Sequence, residues 1–283
     1  MNKQDTEGQS QPAKTDVDVW QRVRDDAVTV REKEPVMAGF LDSLVLSRDS
    51  LEAVVAYHLG AKLGNDEIGA ETLAQSFLHA FQSDGDIGAA MRADVIAVVE
   101  RDPACQSYLD PVLYYKGFLV LQAYRGAHYL IENDRRALAL YIQNRASEVF
   151  QADLHPSAKI GSGIFMDHST GIVIGETATV GNDVSMLHGV TLGGSGKERG
   201  DRHPKIGDGV LISVGAKVLG NIRVGDCAKI GGGSVVLTDV PAYSTAVGVP
   251  AKVVGKVSTP EPSRQMDHRV ESQANENLKT DDT

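Results

Sequence analysis

Cysteine is nearly absent. Only Cys105 and Cys227 occur in 283 residues, far apart and in no C-x-x-C pair. That argues against a disulfide framework or a zinc knuckle and fits a reduced, cytoplasmic protein. Long apolar runs are missing too: no stretch approaches the ~20 residues of a membrane span. The opening residues 1–15 are polar and carry no apolar core of a secretory signal. Basic charge is in deficit, 28 Lys and Arg against 38 Asp and Glu, leaving a net charge of −10. Such a surface repels phosphate backbones, so nucleic acid is a poor partner. Aromatic residues make up 5% and hydrophobic residues 42%. That composition suits one large or two modest soluble cores.

Glycine is unevenly spread: most of the 29 lie between Gly161 and Gly255. The chain divides accordingly. Residues 1–15 read as a disordered tail and 16–150 as an all-helical domain. Val17, Trp20, Val23 and Ala27 recur at helical spacing, as do Leu73, Phe77 and Phe81. Asp49-Ser50 supplies a cap for a helix carrying Leu51, Val54, Val55 and Leu59. The spacing predicts further helices over 87–101, 111–131 and 135–150. Pro103 ends the first of these, because a proline disfavours helix at the residue before it.

From Ile160 the period becomes six. Ile174, Val180, Met186 and Leu192 form one run. Ile206, Ile212, Val218, Val224, Ile230 and Val236 form another, while Ile160 and Met166 fit an earlier frame, slightly offset. Six matches neither a helix nor a plain strand. It matches a triangular solenoid with one short strand and one corner per hexapeptide, about 18 residues per coil. This solenoid occupies 151–257. Between the runs, from Gly193 to Lys205, the frame pauses, so a loop at about 194–205 leaves the solenoid; long excursions from regular scaffolds often carry function. Lys197 followed by Glu198 does not make this loop a P-loop. Residues 258–283 are polar and read as a flexible tail.

The chain resembles the bacterial serine acetyltransferases, members of the hexapeptide-repeat acyltransferase superfamily. The resemblance spans about residues 16–256. It rests on 101–104 (RDPA), 119–125 (LVLQAYR), 153–156 (DLHP), 166–175 (MDHSTGIVIG), 190–194 (VTLGG), 200–206 (GDRHPKI) and 248–251 (GVPA). It implies an α+β protein, with an all-α N-terminal domain followed by a left-handed parallel β-helix. The implied reaction transfers acetyl from acetyl-CoA to the hydroxyl of L-serine, the first step of cysteine biosynthesis.

A hydroxyl is a weak nucleophile until a base takes its proton, and a largely neutral histidine suits that task near pH 7. His168 is the candidate base. Neighbours on a strand point to opposite faces, so Asp167 is less suited to orient it than Asp153, which precedes it by close to one coil. The resemblance implies the same Asp153–His168 dyad. It also implies that Asp102, Asp167, Arg202 and His203 hold the acceptor. Carboxylates suit the ammonium of a zwitterion, and a guanidinium suits its carboxylate. For acetyl-CoA it implies main-chain contacts at Gly194, Val214 and Gly232; alanine is the commoner residue at the last two positions. Lys197, Arg199 and Lys229 are candidates for the CoA phosphates. His155 reads as structural, His188 has no clear role, and His58, His79, His128 and His268 read as incidental.

Other readings compete. A hexapeptide acetyltransferase acting on another hydroxyl or amine shares the fold, the co-substrate and the histidine. A metal lyase wants closely paired histidines, and no His-x₄-His pair occurs among His155, His168, His188 and His203; no metal is expected. A non-catalytic solenoid scaffold is the third. The resemblance further implies a trimer, paired into a hexamer through the helical domain, and feedback inhibition by L-cysteine. Many family members dock on cysteine synthase through a C-terminal isoleucine. This chain ends Lys279-Thr280-Asp281-Asp282-Thr283, which argues against a tight complex.

Overall fold

The computed structural model describes residues 18–196 and 199–270. The N-terminal part is helical: α1 (Val19–Lys33), α2 (Ala38–Leu41), α3 (Leu51–Leu63), α4 (Ala70–Ser83), α5 (Gly85–Arg101), α6 (Leu109–Leu113), α7 (Lys116–Glu132) and α8 (Arg136–Phe150). Local chemistry sets several of the ends. The Asp18 carboxylate accepts from the Gln21 amide at α1, and the Ser50 hydroxyl accepts from the Ala53 amide at α3, each satisfying a donor that the first turn leaves open. Helix α5 stops at Asp102, whose backbone is extended ahead of Pro103. The single helix predicted over 111–131 is two, broken at Tyr114 and Tyr115. The start of α7 must meet the solenoid there: a Cβ on Gly117 would lie 2.0 Å from the Met166 carbonyl oxygen, so only glycine lets the backbones approach this closely.

The solenoid starts straight after α8. Its first coil is β1 (Asp153–Leu154), β2 (Lys159–Ile160) and β3 (Phe165–Asp167). The second is β4 (Val173–Ile174), β5 (Thr179–Val180) and β6 (Ser185–Leu187). The third is β7 (Thr191–Gly193), β8 (Lys205–Ile206) and β9 (Leu211–Ile212). The fourth is β10 (Lys217–Leu219), β11 (Arg223–Val224) and β12 (Lys229–Ile230). Strand β13 (Val235–Val236) opens a fifth, and a hairpin of β14 (Ser244–Gly248) and β15 (Ala251–Lys256) closes the end. Three sheets result: a first of β1-β4-β7-β10-β13, a second of β2-β5-β8-β11, and a third of β3-β6-β9-β12-β14-β15. All pairs except the closing hairpin are parallel. This is the left-handed parallel β-helix of hexapeptide repeats.

The in-frame aliphatic residues, from Ile174 to Val236, are all buried, as are Ala178, Val184, Val190, Val210, Ala216 and Ala228. Each coil therefore buries its apolar face only against the coils above and below. Register locates the irregularities. Val173 pairs with Thr191 and Lys217 with Val235, so these coils advance by three hexapeptides each. Asp153 pairs with Val173, a longer step, so the frame offset is taken up as a wider corner at 168–172. Thr191 pairs with Lys217, a longer step still, which accounts for the loop after β7.

Helical domain and solenoid share a buried joint. The Asp94 carboxylate, fully buried, accepts from Arg125 Nη2 at 2.7 Å, Gln122 Nε2 at 3.0 Å and the Ile164 amide at 2.9 Å. Arg125 also donates to the Gly161 carbonyl, and the Tyr124 hydroxyl donates to the Ala158 carbonyl. Residues 258–270 lie along the outside of the third sheet, with a short helix α9 (Pro262–Gln265). The Ser185 hydroxyl donates to the Ser263 carbonyl, Ser213 bonds His268, and Arg264 pairs with Glu100 and Asp183. The final residues 271–283, which carry the expected divergence from cysteine synthase binding, fall outside the described residues, as does 1–17.

Candidate active site

The wide corner between β3 and β4 presents His168. Both His168 (φ 55°) and Ser169 (φ 52°) are left-handed there, a conformation that costs non-glycine residues energy and concentrates at functional sites. Ser169 is fully buried, and its hydroxyl has no partner among the described residues. His168 by contrast stands out, its side chain 74% exposed, with Nε2 at 3.7 Å from Asp167 Oδ1. The alternation argument against Asp167 holds only in an extended strand; the left-handed turn at His168 brings the two side chains to the same side.

Asp153 and His168 share no hydrogen bond or ion pair among the described residues. Asp153 Oδ1 accepts from Gln143 Nε2 of α8 at 2.7 Å. Position keeps Asp153 near this corner, since β1 is paired directly with β4, the strand that leaves it. Thr170 of the corner bonds the ammonium of Lys116 at the head of α7. Beside Lys116, the pKa of the Tyr115 phenol is pushed up to about 12 by burial and by the nearby charge of Asp102, then Cys105 and Asp110. Asp102 itself holds the Ala104 amide at 2.8 Å.

The same corner repeats up the solenoid. Gly189 donates to the Thr170 carbonyl, Gly215 to the His188 carbonyl and Gly233 to the Val214 carbonyl. His168, His188, Val214 and Gly232 thus belong to one edge of the prism. The His188 ring meets the His168 ring edge-on, centroids 5.8 Å apart, a neighbour that spacing alone did not reveal.

Arg202, His203 and Gly194 belong to a different edge, between the first and second sheets. Arg202 Nη2 bonds Glu176 Oε2 at 2.7 Å, and that contact holds the Glu176 carboxyl below its usual range. His203 is buried, and burial together with the adjacent Arg202 lowers its pKa. Its ring lies over Gly175, where an added Cβ would fall 2.1 Å from Nε2. Gly194 rests against Arg202. Sequence reasoning missed Gly175, Glu176 and Thr177 as site residues, although Gly175 closes the quoted 166–175 motif and the other two follow directly on it. Within one chain, then, Asp167 stands on one edge and Arg202 and His203 on another, while Asp102 ends helix α5 in the helical domain.

Lys229 is covered by the C-terminal segment. It is 6% exposed beneath residues 267–270, and its Nζ donates to the Arg269 carbonyl at 2.5 Å. Its strand position on the third sheet places it under that segment. Arg199 is exposed in the loop, and Lys197 falls outside the described residues. Among the described residues no cluster of three or more His, Cys, Asp or Glu side chains is placed to hold a metal, and no helix is long and apolar enough to cross a membrane.

Comparison with known proteins agrees across the chain. The family model described as serine acetyltransferase, N-terminal, matches residues 19–123, and that described as bacterial transferase hexapeptide (six repeats) matches 203–238. The Serine acetyltransferase of Haemophilus influenzae is 49% identical over 250 residues, covering 88% of this chain and 94% of that one. A serine acetyltransferase solved in complex with cysteine superposes with a TM-score of 0.88 at 48% identity, covering 90% of this chain and 99% of that one. The Brucella abortus serine acetyltransferase in complex with coenzyme A gives 0.83 at 48% identity, covering 86% and 97%. Helical domain, solenoid and motif-bearing corners all fall within the matched span, and the chain belongs to the serine acetyltransferase family.

Proposed function

We propose that this protein transfers the acetyl group of acetyl-CoA to the hydroxyl of L-serine, giving O-acetylserine and CoA in cysteine biosynthesis. The observation that carries the reading is family membership, together with an exposed His168 on the widened corner between β3 and β4. His168 takes the proton of the serine hydroxyl as its oxygen attacks the thioester carbonyl. The tetrahedral adduct collapses with cleavage of the C–S bond, and the imidazolium returns the proton to the departing thiolate. A positioned base contributes ~10²–10⁴-fold. Asp153 is the proposed orienting carboxylate. In this structure Asp153 Oδ1 accepts from Gln143 and the His168 ring lies beside Asp167, so the dyad forms by exchange of these contacts.

Asp102 and Asp167 are assigned to the serine ammonium, Arg202 and His203 to its carboxylate. Because Asp167 and the Arg202–His203 pair lie on different edges of one prism, the proposed site closes between neighbouring solenoids of a trimer, itself paired into a hexamer. The CoA arm is assigned to the edge of Val214 and Gly232, with Gly194 facing it from the adjoining subunit. L-Cysteine differs from serine by one atom and fits the same groups, which supports feedback inhibition. The two unpaired cysteines, Cys105 and Cys227, support a cytoplasmic setting.

Release of thiol from acetyl-CoA tests the reading. Serine-dependent release, suppressed by millimolar L-cysteine, is the expected result. Release that follows a sugar or an amine but not serine would favour the rival hexapeptide acetyltransferase.

A further inference from the structure

The Arg202–His203 pair is fastened to the solenoid through one side chain, Thr177, in the corner between β4 and β5. Its hydroxyl oxygen accepts the backbone N–H of Arg202 at 3.0 Å and of His203 at 3.1 Å. The same oxygen lies 2.9 Å from His203 Nδ1, and the Thr177 backbone N–H points at that nitrogen from 3.2 Å. The Thr177 carbonyl is taken by the Lys205 ammonium at 2.6 Å. A single residue therefore meets both backbone amides of the pair, one ring nitrogen, and the lysine that ends the loop.

These bonds fix a protonation state. A backbone N–H is only ever a donor, so His203 Nδ1 must accept and cannot itself carry hydrogen. The hydroxyl, already accepting two amides, has one proton, for which Nδ1 and the Asp201 carboxylate are both placed, so the backbone N–H is the contact that settles Nδ1 as acceptor. The remaining ring hydrogen then sits on Nε2. We propose that Thr177 is a positioning residue: it locks His203 as the neutral Nε2–H tautomer and sets it beside Arg202, so that the two present fixed donors to the carboxylate of the amino-acid acceptor. Protonating Nδ1 would set N–H against N–H, so the geometry itself opposes the imidazolium. The charged groups around the ring are Arg202, Glu176, Lys205 and His155; Arg202, Lys205 and His155 oppose the imidazolium, and Glu176, paired with Arg202, acts against them. Gly175 completes the arrangement by leaving room for the ring. The assignment rests on the proposed acceptor role of Arg202 and His203.

Two measurements test it. The first is the ¹⁵N spectrum of histidine-labelled wild-type protein, with the His203 signals identified by their loss in His203→Asn. A non-protonated, hydrogen-bonded Nδ1 and a protonated Nε2 are expected near pH 7; hydrogen on Nδ1 would overturn the proposal, and no variant of Thr177 need fold for this to be read. The second compares Thr177→Val with Thr177→Ser in the thiol-release assay. Valine keeps the shape and loses the hydroxyl, and its serine KM is expected to rise about 10- to 100-fold with a much smaller change in kcat and in the KM for acetyl-CoA. Serine restores the hydroxyl and the wild-type serine KM. A valine variant with wild-type serine KM would overturn the proposal, as would equal losses in both variants. Wild-type protein without serine-dependent release would instead refute the acceptor reading, leaving the spectroscopic result to judge the anchor alone.

Discussion

A left-handed backbone at His168 changes what its neighbours can do. Strand alternation separates Asp167 from His168 on paper, yet one left-handed residue puts their side chains 3.7 Å apart. A candidate base was legible in the sequence at His168 because 166–175 is a dense motif. Its carboxylate contacts were not, because they depend on a corner conformation and a side-chain rotation. The two aspartates are separable by kinetics. Asp153→Asn is expected to lower kcat by about 10²-fold or more, through loss of an oriented base. Asp167→Asn is expected mainly to raise the serine KM; the reverse pattern would exchange their roles. His58, read as incidental, is a buried core residue whose Nε2 meets the Leu113 carbonyl at 3.1 Å. Burial pushes its pKa down to about 4, from an ordinary 6.5, against the opposing pull of that carbonyl. The unfolded chain takes up this proton first as pH falls, so the contribution is intact above the ordinary value and lost between there and the lowered one. The full loss is on the order of 3 kcal/mol. Denaturant melts at pH 7.5 and 5 should show a smaller drop in His58→Gln than in wild type.

At the scale of elements, period six was readable because each hexapeptide repeats one strand and one corner, and every in-frame aliphatic residue from Ile174 to Val236 is buried. The frame offset at Met166 was visible as a slip in spacing; that it widens the His168 corner required the pairing of Asp153 with Val173. The break between α6 and α7 was hidden because it answers a tertiary demand, the approach of Gly117 to Met166, and not a local breaker. Lys229 and Arg199 carry the same charge in the sequence, and only the fold shows one covered by 267–270 and the other exposed. The joint between domains makes a prediction of its own. Removing one partner of a buried ion pair strands the other, which typically costs ~3–5 kcal/mol. Asp94→Ala should therefore lower the unfolding free energy by about that amount, with the Arg125 charge left unpaired and the Ile164 amide left without its acceptor. A loss below about 1 kcal/mol would mean that the joint is not buried in the assembled protein.

For the whole molecule, the two edges that carry the proposed acceptor groups need a second solenoid to meet. Light scattering is expected to report a trimer or a multiple of it, and a hexamer under the proposed pairing of helical domains. A stable, active monomer would contradict a site shared between chains. Mixed trimers offer a sharper form of the same test: His168→Ala and Arg202→Ala chains, each inactive alone, should recover part of the activity when co-assembled. The most direct test of the account is the serine-dependent kcat/KM of His168→Ala measured beside wild type, with folding and acetyl-CoA binding verified. A fall of ~10²–10⁴-fold is predicted for the loss of a general base; a variant within tenfold of wild type would contradict proton transfer at His168.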